Sequence, residues 1–300
     1  MPADVLVLRA LGLGDTLAAV PALRALRRAG LGRITLAGPA GPGGLLRRHG
    51  LVDEVVPAAG LGPLRVPPAR VAVNLHGRGP QSHRLLLAGG HDEVVAFACA
   101  EAGVEGPPWR QDEGERARWC RLVTSRWDVD AAPDDVLLAD DHPRDGQVVV
   151  HPGAASGARR WPVERWAEVV RALDPPGVRI TGGEDERDLA LRLADLAGLP
   201  ESSVLAGRTS LDDLADCVAR AGLVLSGDTG IAHVAYAFGT PSVTLFGPTP
   251  PRWWGPPATG PHVALWHGDG AGDPHADAPD PALLRIGTDE VVAAARAAQS

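Results

Sequence analysis

The sequence predicts an α/β protein of two domains, each built on a parallel sheet covered by helices, and three observations carry that prediction. The chain has 300 residues, beyond the ~100–200 residues typical of one domain. Both halves open on an apolar strand that runs into a glycine turn and a helix: "DVLVLRALGLGD" at 4–15 and "VVVHPGA" at 148–154. Between and after them, short β-branched runs alternate with helix-compatible stretches, the pattern of strands that need a crossover helix to lie parallel.

Taken in order, "DVLVLRA" (4–10) is a continuous apolar run, as expected for a strand buried on both faces. "GLGD" turns the chain, and an Ala/Leu/Arg-rich helix follows to about Ala29. "RITLAG" (33–38), "EVVP" (54–57), "RVAVNLH" (70–76) and "EVVAFA" (93–98) are further strands, separated by Gly-rich turns or helical stretches such as 80–89. From about 104 to 146 the pattern loosens. "GVEGPPWRQDEGE" is a loop, 116–127 a helix, and "DAAPDDVLLADDHPRDGQ" an acidic, Pro-rich stretch that places the domain junction near 140–147. The second half gives a strand at 148–154, a helix from Pro162 to about Leu173, a strand at 178–183, and helices over about 185–197 and from Leu211 to Ala221. A strand at 223–228, a short helix from Ile231 and a strand at 242–247 complete it. "GDGAGDPHADAPDPALL" is expected to be an exposed loop, and 287–298 a terminal helix capped by Thr288 or Asp289 with Glu290 in its first turn. The domains are therefore 1–145 and 146–285, followed by a C-terminal helix within 286–300.

Composition narrows the function classes. A hydrophobic fraction of 45% with 22% charged residues is that of an ordinary globular protein. The formal net charge is −8 and every basic side chain is Arg; an acidic balance argues against nucleic acid as a partner. Three widely spaced cysteines, Cys99, Cys120 and Cys217, in no CxxC arrangement, point to neither a disulfide framework nor a zinc site. The first residues carry an acid before the apolar run instead of a basic segment, and no apolar run reaches ~18 residues. The expected location is the cytoplasm, with any membrane contact peripheral.

The densest chemistry lies in "SGDTGIAHVAYAFGTPSVTLFGPT" (226–249). Ligands of a parallel sheet gather at the carboxyl ends of strands, where helix N-termini offer unpaired N–H groups and a partial positive charge. Gly227 and Gly230 permit close backbone approach, Thr229 can donate its hydroxyl, and the amides of about 229–232 can cradle a diphosphate. His233 can donate to a phosphate. Asp228 repels phosphate, so it caps the helix or holds a sugar hydroxyl or a neighbouring His; a plain N-cap beside a core histidine is the alternative reading. A second loop, "HPGAASGARRWP" (151–162), presents Arg159 and Arg160, whose guanidinium forks match phosphate oxygens, or which are an ordinary solvated pair. "TGGEDERDLA" (181–190) starts a helix with three acids, one of which can take a ribose diol. In the first half, Asp15 follows Gly12 and Gly14 at the mouth of the first helix. No GxGxxG is completed there, and a carboxylate is wrong for a pyrophosphate. Asp15 is instead a candidate general base, or an N-cap.

Together these blocks, "LGLGDTLAAVPALRALRR", "HPGAASGARRWP", "GGEDE" and "SGDTGIAHVAYAFGTPSVTLFGPTPP", resemble glycosyltransferase family 9, the heptosyltransferase-like enzymes. The resemblance spans nearly the whole chain, and its last block is the most specific. It implies the GT-B fold, two Rossmann-like domains with parallel sheets facing across a cleft, and a nucleotide-diphospho-sugar donor, often ADP-heptose, held by the C-terminal domain. It also implies a glycan or glycolipid acceptor against the N-terminal domain, inversion by direct displacement, and no required metal or other cofactor. By position, Asp15 matches the base, Glu186 the acid that meets the nucleoside, and Asp228, Thr229, Gly230 and His233 the diphosphate loop. On the acceptor side lie Gly12 and Gly14, with Asn74, His76 and Arg78 from "VNLHGRGPQSHR". The chain departs from the family in carrying Arg159–Arg160 where Lys is frequent, and Ser226–Gly227 where Asn commonly precedes the Asp.

Three other readings stay open. A sugar-nucleotide epimerase of the same fold would convert its substrate with no acceptor present. A non-catalytic sugar-nucleotide-binding protein would not need Asp15. An NAD(P)-dependent oxidoreductase would need the dinucleotide fingerprint that is missing.

Overall fold

The computed structural model describes residues 4–299, and they form two compact units that divide between Val136 and Leu137. The first runs β1 (Val5–Leu8), α1 (Leu13–Ala18), α2 (Val20–Arg28), β2 (Ile34–Gly38), α3 (Ala40–Arg48), β3 (Glu54–Pro57), β4 (Val71–Asn74), α4 (Gln81–Leu87), β5 (Glu93–Val95) and α5 (Glu115–Thr124). Its sheet has the order β3-β2-β1-β4-β5, with every pair parallel. Val5, Leu6, Val7 and Leu8 are all buried, as a strand covered on both faces requires.

The second unit runs β6 (Val148–His151), α6 (Val163–Leu173), β7 (Val178–Ile180), α7 (Arg187–Ala197), α8 (Leu211–Arg220), β8 (Leu223–Gly227), α9 (Gly230–Ala237) and β9 (Ser242–Phe246), then α10 (Pro251–Trp254), β10 (His262–Trp266), α11 (Pro281–Leu284) and α12 (Thr288–Ala298). Its sheet is again all parallel, in the order β10-β9-β8-β6-β7. A core of Val150, Trp161, Trp166, Val169, Ile180, Leu225 and Leu245 sits between sheet and helices. Trp161 and Trp166 meet edge to face at 4.8 Å.

Each sheet reverses its order once, between β1 and β4 in the first unit and between β6 and β8 in the second. At such a point the two adjacent crossovers leave in opposite directions and open a crevice beyond the strands' carboxyl ends. Most of the predicted site residues lie at the ends of these four strands, and Glu186 follows the neighbouring β7.

The structure differs from the sequence reading in several places. "AGPGGLLRR" is a helix, α3, despite three glycines and a proline. Packing overrides propensity there: a Cβ on Gly43 would lie 2.7 Å from Val55 of β3, so glycine lets helix and strand approach. "HVALW" adds the edge strand β10. The unit boundary falls at 136/137, ahead of the 145/146 division. Residues 137–145 go with the second unit because the Leu138 N–H donates to the Ala237 carbonyl and Arg144 donates to the carbonyls of Phe238 and Gly239 and to Thr240 Oγ1. α12 packs on α6 and the β9–β10 edge, and Gly287, not Thr288 or Asp289, occupies its N-cap. The stretch expected to be an exposed loop is mostly exposed, ends in the short α11, and is fastened to the 156–158 loop. Ser156 Oγ donates to the Pro274 carbonyl at 2.6 Å, the Ala158 N–H to Ala276 at 2.8 Å and the Asp280 N–H to Ala158 at 3.1 Å, and Leu283 is buried.

Candidate functional site

The first unit's crevice is built on Arg9, the residue that follows β1. Its guanidinium is fully buried, and all three of its nitrogens donate. Nε donates to the Asp15 carbonyl at 2.9 Å and Nη1 to the Leu75 carbonyl at 2.5 Å. Nη2 donates to two carboxylates, Asp15 Oδ1 at 3.1 Å and Glu115 Oε1 at 2.9 Å. The group also stacks 4.9 Å over the Trp119 ring. Asp15 lies in the first turn of α1, whose N-cap is Gly12, so the N-cap alternative for Asp15 does not hold. Its side chain keeps 32% of its surface open, whereas that of Arg9 keeps none. Burial, with Glu115 adding to it and Arg9 opposing, holds the Asp15 proton affinity above that of an ordinary aspartate.

β4 ends beside this group. The Ala10 N–H donates to His76 Nδ1 at 3.2 Å. Burial and the nearby Arg9 push the His76 pKa down, so a neutral ring presents its proton on Nε2. Asn74 is fully buried. Its amide donates to Ser82 Oγ and His83 Nδ1, and its carbonyl accepts the His76 N–H. Asn74 therefore shapes the loop that carries His76 and is not itself exposed to a ligand. Of the other residues expected on the acceptor side, Arg78 and Gly12 are exposed and Gly14 is half-buried.

In the second unit, β8 runs through Ser226 and Gly227 to Asp228, and α9 begins at Gly230 with Thr229 as N-cap. Thr229 makes no side-chain capping bond, so the first amides of an eight-residue helix carry no side-chain cap. Asp228 is buried and lies outside the cap position; its plain N-cap reading fails. Arg159 Nη1 donates to the Asp228 carbonyl at 3.2 Å, and its Nε lies 3.3 Å from Ser156 Oγ. Arg160 turns the other way, Nε donating to the Ala154 carbonyl at 2.9 Å. Of the two, Arg159 is the one brought to the mouth of α9. His233 is buried, edge-on to Tyr236 at 5.5 Å and to Trp254 at 6.0 Å, so aromatic rings fix its orientation.

The strand ends of β6 and β7 supply the rest. Glu186 Oε2 accepts the Gly183 N–H at 2.9 Å and lies 3.7 Å from His151 Nε2. His151 Nδ1 bonds Thr181 Oγ1 at 3.0 Å; burial pushes its pKa down, with Glu186 opposing. A Cβ on Gly153 would fall 2.0 Å from Glu186 Oε1, so the β6 turn must be glycine for the carboxylate to sit there. Glu184 and Asp185 are exposed in the short turn ahead of α7.

Sequence reasoning missed Arg9, Glu115 and His151. Arg9 had a signal, a charge immediately after four buried strand residues; Glu115, about a hundred positions away, had none. The three cysteines are free, and burial pushes the Cys120 thiol up to about 12. Among the described residues no cluster of three or more His, Cys, Asp or Glu is placed to hold a metal ion. No described helix is long and apolar enough to cross a membrane.

Paired α/β units, each with its predicted residues at the reversal of a parallel sheet, define a GT-B protein, and solved structures share that fold over almost their whole length. A glycosyltransferase family 9 protein from Veillonella parvula superposes with a TM-score of 0.78, covering 100% of this chain and 98% of that one at 16% identity. E. coli ADP-heptose LPS heptosyltransferase II gives 0.77 over 99% and 98% at 20% identity, and E. coli heptosyltransferase WaaC with ADP-2-deoxy-2-fluoro heptose gives 0.71 over 96% and 97% at 20%. Residues 122–270, just under half of the chain, match the model of glycosyltransferase family 9 (heptosyltransferase), and the chain is similar to that family. Lipopolysaccharide heptosyltransferase 1 of Pseudomonas aeruginosa is 36% identical over 157 residues, 49% of this chain and 43% of that protein. Its E. coli K12 counterpart is 38% identical over 96 residues, 31% of this chain and 29% of that protein. The matches thus cover less than half the length of these curated relatives.

Proposed function

We propose that the protein is an inverting glycosyltransferase that moves a heptose-like sugar from a nucleotide-diphospho-sugar, ADP-heptose, to a hydroxyl of a glycan or glycolipid acceptor on the cytoplasmic side of the cell envelope. The observation that carries this reading is the mouth of α9. Uncapped first-turn amides, Thr229, Gly230 and the Arg159 guanidinium converge there at the reversal point of the second sheet. That combination matches a diphosphate in charge and geometry. The relatives' names, and the ADP and ADP-sugar ligands named with the WaaC structures, support the donor class.

In this reading Arg159 and the α9 amides neutralise the charge that grows on the departing nucleoside diphosphate, electrostatic stabilisation that asks nothing of a metal. Glu186, held by Gly183 and His151, meets the ribose. Asp15 takes the proton of the attacking hydroxyl as the new C–O bond forms and the anomeric C–O bond to phosphate breaks. A base must be open to substrate and basic enough to accept a proton; the Asp15 carboxyl is partly open, and burial raises its proton affinity. His76, neutral with its Nε2 proton outward, and exposed Arg78 orient the acceptor.

The test is thermal-shift and calorimetric titration with ADP, UDP and GDP, since a ligand of the native state raises its melting temperature by mass action. ADP should bind most tightly, and incubation with ADP-heptose and acceptor should release ADP. Conversion of the donor with no acceptor present would favour the epimerase.

A further inference from the structure

Arg9 and Glu115 belong to no substrate contact in this reading, yet the fold invests heavily in them. Arg9 is fully buried and Glu115 nearly so, and a charge taken from water that far must be matched by partners or it unfolds the region. The hydrogen bonds of the Arg9 guanidinium go to the crevice or to Glu115. Nε and Nη1 grip the carbonyls of Asp15 and Leu75, tying the first turn of α1 to the end of β4. Nη2 is divided between Asp15 and Glu115. Glu115 in turn accepts from Trp119 Nε1 at 2.9 Å and from Arg118 Nη1, while Arg118 is held by the carbonyls of Arg110 and Glu113. Trp119 lies under the Arg9 guanidinium, which leaves that group no room to swing.

We propose that Arg9 and Glu115 are positioning residues for the Asp15 carboxylate: the guanidinium fixes where it points, and Glu115 claims enough of the same guanidinium to keep Asp15 from being locked into a closed ion pair. The inference rests on Asp15 being the base. Two carboxylates on one Nη2 share one cation. Were Arg9 paired with Asp15 alone, the ion pair would quench the carboxylate as a proton acceptor. With Glu115 competing, the second charge restores its basicity. The groups that face Asp15 are Arg9 from the end of β1 and Glu115 from α5; His76, after β4, faces Arg9 and is neutral, and Arg118 is committed to Glu115.

The experiment follows the Asp15 carboxyl directly, by carbon-detected NMR titration of the full chain, beside pH profiles of transfer. Glu115→Gln keeps the shape and removes the competing charge, so the Asp15 midpoint should fall by roughly one pH unit. The acid limb of kcat/KM should move with it, while donor KM stays put. Arg9→Lys keeps a cation but not the fork that reaches two carbonyls and two carboxylates; kcat should drop at least ~10-fold with the donor KM again unchanged. Arg9→Met takes from Glu115 one of its two cations, so it is read only beside the double variant Arg9→Met/Glu115→Gln, in which the midpoint should rise above wild type. A midpoint that stays put or rises in Glu115→Gln overturns the inference, as does an Arg9→Lys loss confined to KM. Should the Asp15 midpoints move as stated while the chain transfers no sugar, the base assignment fails and the electrostatic coupling stands.

Discussion

The two units share a topology and oppose each other in chemistry. Both place their predicted residues beyond the carboxyl ends of a parallel sheet, beside the strand where its order reverses. In the first unit that spot holds a partly open carboxylate set in an ion cluster, Arg9, Asp15 and Glu115. In the second it holds glycine, uncapped amides and Arg159. A helix mouth favours anions wherever it occurs, so the second unit uses what topology supplies. The first fills the same kind of mouth from within, placing its own carboxylate in the first turn of α1 and pinning it with a buried cation. The pair teaches that the crevice comes from strand order and its charge from a few side chains.

Substitutions that erase this asymmetry should have graded effects. The largest belongs to Asp15→Asn, which should lower turnover by roughly 10²–10⁴-fold with donor affinity retained; wild-type turnover would remove the base. Next, Arg159→Ala should weaken ADP by about 10–100-fold, the worth of a charge-assisted hydrogen bond, and Arg160→Ala by less, because Arg160 points to Ala154. Calorimetry that ranks the two variants in reverse would move the diphosphate off the mouth of α9. A subtler change is Gly153→Ala, whose Cβ displaces the Glu186 carboxylate. It should cost ADP about tenfold and inorganic pyrophosphate almost nothing, since only the nucleoside meets Glu186.

The pH dependence of stability gives a smaller, signed effect. The Asp15 pKa is raised by folding, so between the ordinary aspartate value and the raised one the native state binds more protons than the unfolded chain. Stability present at lower pH is therefore lost as pH rises through that window. Denaturant melts of wild type against Asp15→Asn should show the variant gaining relative stability as pH increases across it. Smallest of all is Ser226→Ala: the Ser226 Oγ is buried with no hydrogen-bond partner, so its removal should change stability by less than about 1 kcal/mol and in the stabilising direction. A clear loss of stability would show that Oγ has a bound partner.

Strands were the most legible elements, because a parallel strand covered on both faces is an unbroken apolar run that few other structures produce. ITLAG at 34–38 and SVTLF at 242–246 are fully buried strands where the sequence places them. α3 was hidden because its glycines serve close packing against β3, a tertiary fact invisible to local propensity. The arginines and the diphosphate-type loop were legible as residue types. Their division of labour was not, since which of two adjacent arginines reaches Asp228 depends on a short helical turn at 157–159. Glu115 was illegible for a plainer reason: nothing in the intervening residues marks α5 as the helix that returns to the end of β1.

The splice between residues 274–280 and the loop at 156–158 has one further consequence. Three hydrogen bonds hold these strands of chain together, so the loop bearing Arg159 is braced from a segment more than a hundred residues away. If the proposed donor site holds, a protease nick near Gly272 should slacken the grip on a pyrophosphate, and a bound nucleotide should in turn shield that bond from cleavage. The tail thus works as a guy-rope on the cationic loop, and its tension is set by packing, not by any residue that touches the sugar.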